Sequence, residues 1–157
     1  MIRPAKFADI LRLAELAVEM HQRSVYADRA TLEIARFKKL CIPAIQNHGK
    51  GACLFVVETN GRVEGFIVGV VDRLYGISRE LYATDLFFYV SPSADARAAS
   101  GLADAFLRWA EGAPGVIEVR PGISGAVEGW ERAGKLWERK GLRLDGAMYV
   151  RRVGCQA

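Results

Sequence analysis

The chain has 157 residues, of which 51% are hydrophobic and 25% charged, with a formal net charge of +4. That length fits one domain, and that apolar fraction supports a packed core and excludes a disordered chain. The basic excess is mild; it suits an anionic ligand and does not by itself call for nucleic acid.

Met1 leads directly into Ile2-Arg3-Pro4, without the charged and apolar regions of a signal peptide. No apolar run reaches the roughly 18 residues of a membrane span. The longest, around Phe66 to Val71, is broken by glycine and bounded by Asp72. A cytoplasmic protein without a membrane partner is expected. Cys41, Cys53 and Cys155 have neither disulfide nor zinc spacing, and read as two core thiols and one tail thiol. His21 and His48 have no partner at metal-ligand spacing and read as surface or loop residues, so no metal is expected.

Met1 to Ala5 reads as a short strand. Ala8 to Ser24 carries Leu13, Ala14, Ala17 and Met20 at helical spacing, with Asp9 placed to suit the helix dipole. Thr31 to Ile45 is a second helix, which Pro43 is expected to kink or split. Leu54 to Glu58 and Val63 to Val71 form a hairpin about Asn60-Gly61, a type I′ turn signal. Gly65 and Gly69 in its second strand predict a bulge or a close neighbour. A strand over Tyr82 to Val90 stops at Ser91-Pro92-Ser93, and Arg97 to Ala113 is helical, with Leu102, Phe106 and Trp109 on one face. Val116 to Val119 is a short buried strand. Glu128 to Lys140 is a helix with Trp130, Ala133 and Trp137 on one stripe, and Gly141 stands where its C-terminal cap belongs. Two closing strands, Leu142 to Leu144 and Ala147 to Val153, flank Asp145-Gly146. This order predicts an α/β (α+β) domain, 1–157, with a largely antiparallel sheet covered by helices on both faces.

The order resembles that of the GNAT superfamily of acetyl-CoA-dependent N-acetyltransferases. Four local features carry the resemblance: Ile2-Arg3-Pro4-Ala5 before a helix, Gly65-Phe66-Ile67-Val68-Gly69, Tyr89-Val90-Ser91-Pro92, and Ala133 to Leu142. The last resembles the family's A-x-x-L-Y-E-K-x-G-F segment, with Trp137 for Tyr and Leu142 for Phe. The ending Asp145 to Arg152 is similar to the family's closing strand. Arg97-Ala98-Ala99 and Trp109-Ala110 resemble a bacterial and phage-associated group. The resemblance implies a central sheet splayed between its fourth and fifth strands, where the pantetheine of acetyl-CoA lies.

It also implies a site. The family holds the cofactor's pyrophosphate on the loop and helix start after the fourth strand, where unpaired N–H groups and the helix dipole meet anions. Here that stretch is Ser93 to Gly101, with alanines where the family has glycines. The first motif position falls at Asp95 or at Ala94, and in both registers Arg97, Ala98 and Ala99 lie in the cradle. The expected cofactor residues are Phe88, Tyr89, Val90, Ala96, Arg97, Ala98, Ala99, Ser100 and Trp137. The same stretch also reads as an ordinary helix start with Ser93 as N-cap. Asp95 would repel a phosphate unless it turned away.

For direct attack of an amine on the thioester, Asp85 is the candidate base. It is the one carboxylate in the apolar run Tyr82 to Val90, and it reads equally as a turn cap. In an unbroken strand it would share a face with Phe87 and Tyr89. The resemblance puts the family's tyrosine acid at Trp137, whose indole is no acid; Tyr149 and Tyr89 are the substitutes. The acceptor is expected to be a small-molecule or protein amine, a homodimer is a candidate assembly, and nucleic acid is not expected. The alternative is a non-catalytic acyl-CoA-binding module with the same fold.

Overall fold

The computed structural model describes residues 1–153. In chain order it contains β1 (Ile2–Pro4), α1 (Ile10–Gln22), α2 (Ile34–Gln46), β2 (Ala52–Thr59), β3 (Arg62–Arg73), β4 (Leu81–Val90), α3 (Ala98–Gly112), β5 (Val116–Val119) and α4 (Trp130–Arg139). The strands form one sheet in the order β1-β2-β3-β4-β5, antiparallel throughout except for the parallel pair β4-β5.

The sheet is buried on both faces because its strands alternate two apolar sets. Leu54, Val56, Phe66, Val68 and Tyr89 meet Leu13 and Leu16 of α1 and Phe37 and Cys41 of α2. Cys53, Val57 and Ile67 meet Leu102 and Phe106 of α3 and Leu136 and Trp137 of α4. Burial raises both core thiols, Cys41 to about 11 and Cys53 to about 12, so they stay protonated. Cys155 lies outside the described residues.

The hairpin forms as expected: Thr59 pairs with Arg62, and Asn60 and Gly61 both take positive φ, 51° and 77°. Pro43 does not split α2, which runs unbroken to Gln46. Phe37, Cys41 and Ala44 stay buried across that turn, and their packing offsets the lost backbone bond. His48 is more than a loop residue. Its Nδ1 accepts a 3.3 Å bond from the Leu54 N–H and its ring stands edge-on to Phe55, and burial lowers its pKa.

The first helix is anchored by Arg3. Its guanidinium donates to both oxygens of Asp9, at 2.8 and 3.0 Å, and to Glu58 of β2 at 2.7 Å. Asp9 also accepts the Lys6 N–H at 2.7 Å, and these donors hold its carboxyl below the usual range.

Two bulges lie beside the two glycines of β3. Val57 pairs with Gly65 while Glu58 pairs with Val63, leaving Glu64 extra. Val68 pairs with Phe87 while Gly69 pairs with Asp85, leaving Leu86 extra on β4. A Cβ on Gly65 would stand 2.8 Å from the Tyr89 carbonyl oxygen, so glycine allows the close approach of β3 and β4.

The closing strands are not observed. Among the described residues no strand follows α4, and Leu144, Met148, Tyr149 and Val150 are exposed. The sequence there has the local character of a strand, but β-structure requires a partner edge, and β5 offers only four residues.

Candidate functional site

The sheet opens between β4 and β5. Only Leu81, Tyr82 and Ala83 pair with β5. The Arg120 N–H then donates to the Ala83 carbonyl at 2.8 Å, and Thr84 Oγ1 donates to the Arg120 carbonyl at 2.8 Å. At the apex of the opening, Asp85 Oδ1 accepts the Gly122 N–H at 2.6 Å. From there to Val90, β4 pairs with β3 alone.

Which backbone groups face the opening follows from alternation. The Ser91 N–H donates to the Glu64 carbonyl, so Phe87 and Tyr89 also turn their amides towards β3. Phe88 and Val90 turn theirs away from β3, into the space β5 has left. Two strand N–H donors therefore lie along one edge of the slot.

The bulge changes the face on which Asp85 stands. Its partner Gly69 faces Phe106 and Trp109 of α3, whereas Phe87 and Tyr89 face α1 and α2. Asp85 therefore lies on the α3 side with Ala83, not with Phe87 and Tyr89 as in an unbroken strand. It is half-buried, and desolvation raises its pKa, opposed by the Gly122 hydrogen bond. The cap reading of Asp85 thus has an observed partner.

The helix start after β4 is built from small residues. Ala96 and Arg97 are exposed, Ala99 and Ser100 are half-buried, and Ala98 is buried in the core. The amides of a first helical turn have no intrahelical acceptor. Two donors here are already engaged: Asp95 Oδ1 accepts the Arg97 N–H at 2.7 Å, and the Asp95 carbonyl accepts the Ala98 N–H at 2.9 Å. Asp95 thus turns back on the loop. Ser93 is not the N-cap; α3 starts after Arg97, and Ser93 bonds Ser91 instead. Lys140, at the end of α4, donates to Ser100 Oγ at 2.8 Å and pairs with Asp104 at 2.6 Å, placing a cation at this helix start. A cleft of about 620 Å³ runs from Asp95, Arg97, Ala98 and Gly101 to Ile2 and Val57.

Trp137 is buried between Phe88 and Phe106, at ring-centre distances of 5.7 and 6.0 Å. Its Nε1 has no acceptor among the described residues. Gly141 caps α4 at φ 87°, and the Leu142 N–H returns to the Trp137 carbonyl. The expected stripe is only partly buried: Trp130 is exposed and lines a second cleft, of about 430 Å³, between Arg23–Val25 and the Gly125–Glu131 segment. Among the candidate acids, Tyr149 is exposed far from packing, and the Tyr89 hydroxyl is bound elsewhere.

That partner is Glu19 of α1, a residue the sequence reading passed over. Tyr89 Oη donates to Glu19 Oε1 at 2.9 Å, and Ser91 Oγ to the same oxygen at 2.8 Å. Burial, and then the carboxylate, keep the Tyr89 phenol protonated. The available signal was Tyr89 and Ser91 themselves, two hydroxyls at i, i+2 on one face of a strand end. Among the described residues no group of His, Cys, Asp or Glu could hold a metal, and no helix is long and apolar enough to cross a membrane.

No protein-family model matches the chain, and no curated protein matches it. Solved structures do match it. A probable acetyltransferase has a TM-score of 0.72 at 19% identity, covering 99% of both chains. A ribosomal-protein-alanine N-acetyltransferase from Brucella melitensis has 0.66 at 18% identity, covering 97% of this chain and 99% of that one. The glucosamine-6-phosphate N-acetyltransferase of Arabidopsis thaliana has 0.70 at 11% identity, covering 98% and 97%. At these identities the likeness establishes the fold. It is the GNAT fold, with its fourth and fifth strands splayed.

Proposed function

We infer that this chain transfers an acetyl group from acetyl-CoA to a primary amine. One observation carries the reading: β4 leaves β5 at Asp85 and presents the unpaired N–H groups of Phe88 and Val90 to a slot that ends at a helix start. A pantetheine chain is an extended diamide, and strand-edge donors suit it. The fit extends to the phosphates. The small side chains of Ala96 and Ala99 leave the Ala99 and Ser100 amides accessible, and Arg97 supplies positive charge, while that of Lys140 is shared with Asp104. Asp95 opposes it, and its carboxylate would have to stay on the Arg97 N–H.

Acetyl-CoA, when bound, supplies the thioester. The chain's part is to hold the carbonyl oxygen against a strand N–H, from Val90 or Phe88, so that charge developing there is stabilised. Trp137 walls the slot and does no proton transfer; a thiolate of this kind leaves with hydrogen-bond help alone. Asp85 stands at the apex. One of its oxygens is spent on Gly122, which fixes the loop and with it the width of the opening.

Calorimetry with acetyl-CoA tests this directly. Ala96→Glu, at an exposed position, should weaken binding by about tenfold or more through charge repulsion while leaving the melting temperature unchanged. Ala98→Glu does not serve, because Ala98 lies in the core at 3% exposure. Wild-type protein that binds no acetyl-CoA refutes the reading. Binding without acetylation of any amine favours the alternative, a non-catalytic acyl-CoA module.

A further inference from the structure

Glu19 is joined to both residues that flank Val90 at the end of β4. Tyr89 and Ser91, whose hydroxyls it accepts, flank Val90, whose N–H opens onto that slot. They face α1, whereas Val90 packs with the α3 side. The carboxylate thus sits on the α1 face of the sheet, bound to the two residues that flank Val90. Both hydroxyls converge on Oε1, which leaves Oε2 for another donor. Asp85 is five residues from Val90 along β4, roughly 15 Å at the usual strand rise, and on the α3 side. A cleft lies one helical turn from Glu19. Arg23, four residues on and just past the end of α1, lines the cleft of about 430 Å³ that Ser24, Val25 and Trp130 also border.

We propose that Glu19, held by Tyr89 and Ser91, binds the acceptor amine and takes its proton during acetyl transfer, with the acceptor entering through the Arg23–Trp130 cleft. This rests on the acetyltransferase reading above. In the step, the amine nitrogen bonds to the thioester carbonyl carbon and the carbon–sulfur bond breaks. The electron pair leaves with sulfur, and the proton lost by nitrogen passes to Glu19 Oε2, which returns it to the thiolate or to water. Tyr89 and Ser91 position the carboxylate and are not catalytic.

The test measures free thiol released from acetyl-CoA, with benzylamine and methoxyamine as probe acceptors, for wild type, Glu19→Gln, Tyr89→Phe and Asp85→Asn. Calorimetry and thermal melts run alongside. Glu19→Gln should lose about 10²-fold in kcat with benzylamine, the scale of a lost general base, and keep its acetyl-CoA affinity. The loss should shrink with methoxyamine, which is unprotonated at neutral pH; a merely structural role would affect both amines alike. Tyr89→Phe should raise KM for the amine more than it lowers kcat. Glu19→Asp, which keeps the charge, stands in if Glu19→Gln fails to fold, and should retain part of the activity on both amines. Wild-type turnover in Glu19→Gln, or an equal loss on both amines, overturns the role of Glu19. So does a loss confined to Asp85→Asn. Failure of the wild type to acetylate either amine overturns the acetyltransferase reading instead, and this proposal with it.

Discussion

Trp137 sits at the position of an expected proton donor, yet its environment makes it a packing residue with an unmet hydrogen bond. The indole is 4% exposed, between Phe88 and Phe106, and its N–H has no acceptor among the described residues. Trp137→Phe removes roughly 40 Å³, which at about 24 cal/mol per Å³ of cavity costs about 1 kcal/mol. It also removes an orphan donor, whose burial costs about 1–3 kcal/mol. The net change should therefore run from about zero to about 2 kcal/mol in favour of the variant, a melting temperature unchanged or raised by up to about 8 °C. Trp137→Ala removes the same donor but leaves a far larger cavity. It should cost about 3–5 kcal/mol, and lower the melting temperature by at least about 6 °C. Turnover per folded molecule should stay near wild type in Trp137→Phe. Differential scanning calorimetry with a thiol-release assay checks both. A Trp137→Phe protein destabilised as far as Trp137→Ala would show that the N–H is engaged. A large loss of turnover with intact stability would show that the indole takes part in the chemistry.

Two further predictions concern carboxylates shifted in opposite directions. Arg3→Ala leaves the part-buried Asp9 and Glu58 without their partner and should cost about 1–3 kcal/mol at neutral pH. Because the folded pKa of Asp9 is depressed, that stabilisation is present above the ordinary carboxylate range and fades as pH falls through it. Denaturant midpoints of wild type and variant should therefore converge in acid. Asp85 is shifted upward, so its ionisation opposes folding above the ordinary carboxylate range and not below it. Asp85→Asn keeps an acceptor for the Gly122 N–H and should match or exceed wild-type stability at neutral pH, an advantage that disappears as pH falls.

Local chemistry was legible in the sequence wherever it alone determines structure. Asn60-Gly61 specifies its turn because both residues tolerate positive φ, and Gly141 ends α4 for the same reason. The two glycines of β3 announced close approach, and both lie beside a bulge. The position of those bulges was not legible, since Leu86 is extra only with respect to β3, a matter of register between strands. That one residue decides the face of Asp85. Glu19 was missed because a carboxylate on an amphipathic helix reads as solvated until the strand above it is placed. The closing strands were overcalled from β-propensity that no edge redeems, and the burial of Ala98 could not be separated from its place in a small-residue loop.

The features that open the slot in this chain depend little on side-chain identity, and the fold is shared at identities of 11–19%. A bulge, a strand of four residues, and a following loop returned to β4 by backbone donors suffice to part β4 from β5. Among the described residues, the hydrogen bonds from this loop to β4 that use a side chain are Asp85 with Gly122 and Thr84 with Arg120, and Arg120 also stacks over Tyr82. The donors that the slot offers, Phe88 and Val90, are backbone groups as well. On the reading proposed above, cofactor binding rests on backbone donors and would survive wide divergence, whereas the acceptor would be met by side chains such as Glu19, Arg23 and Trp130. Those are the positions at which fold similarity is silent, and at which substitution will separate this chain's substrate from those of its structural neighbours.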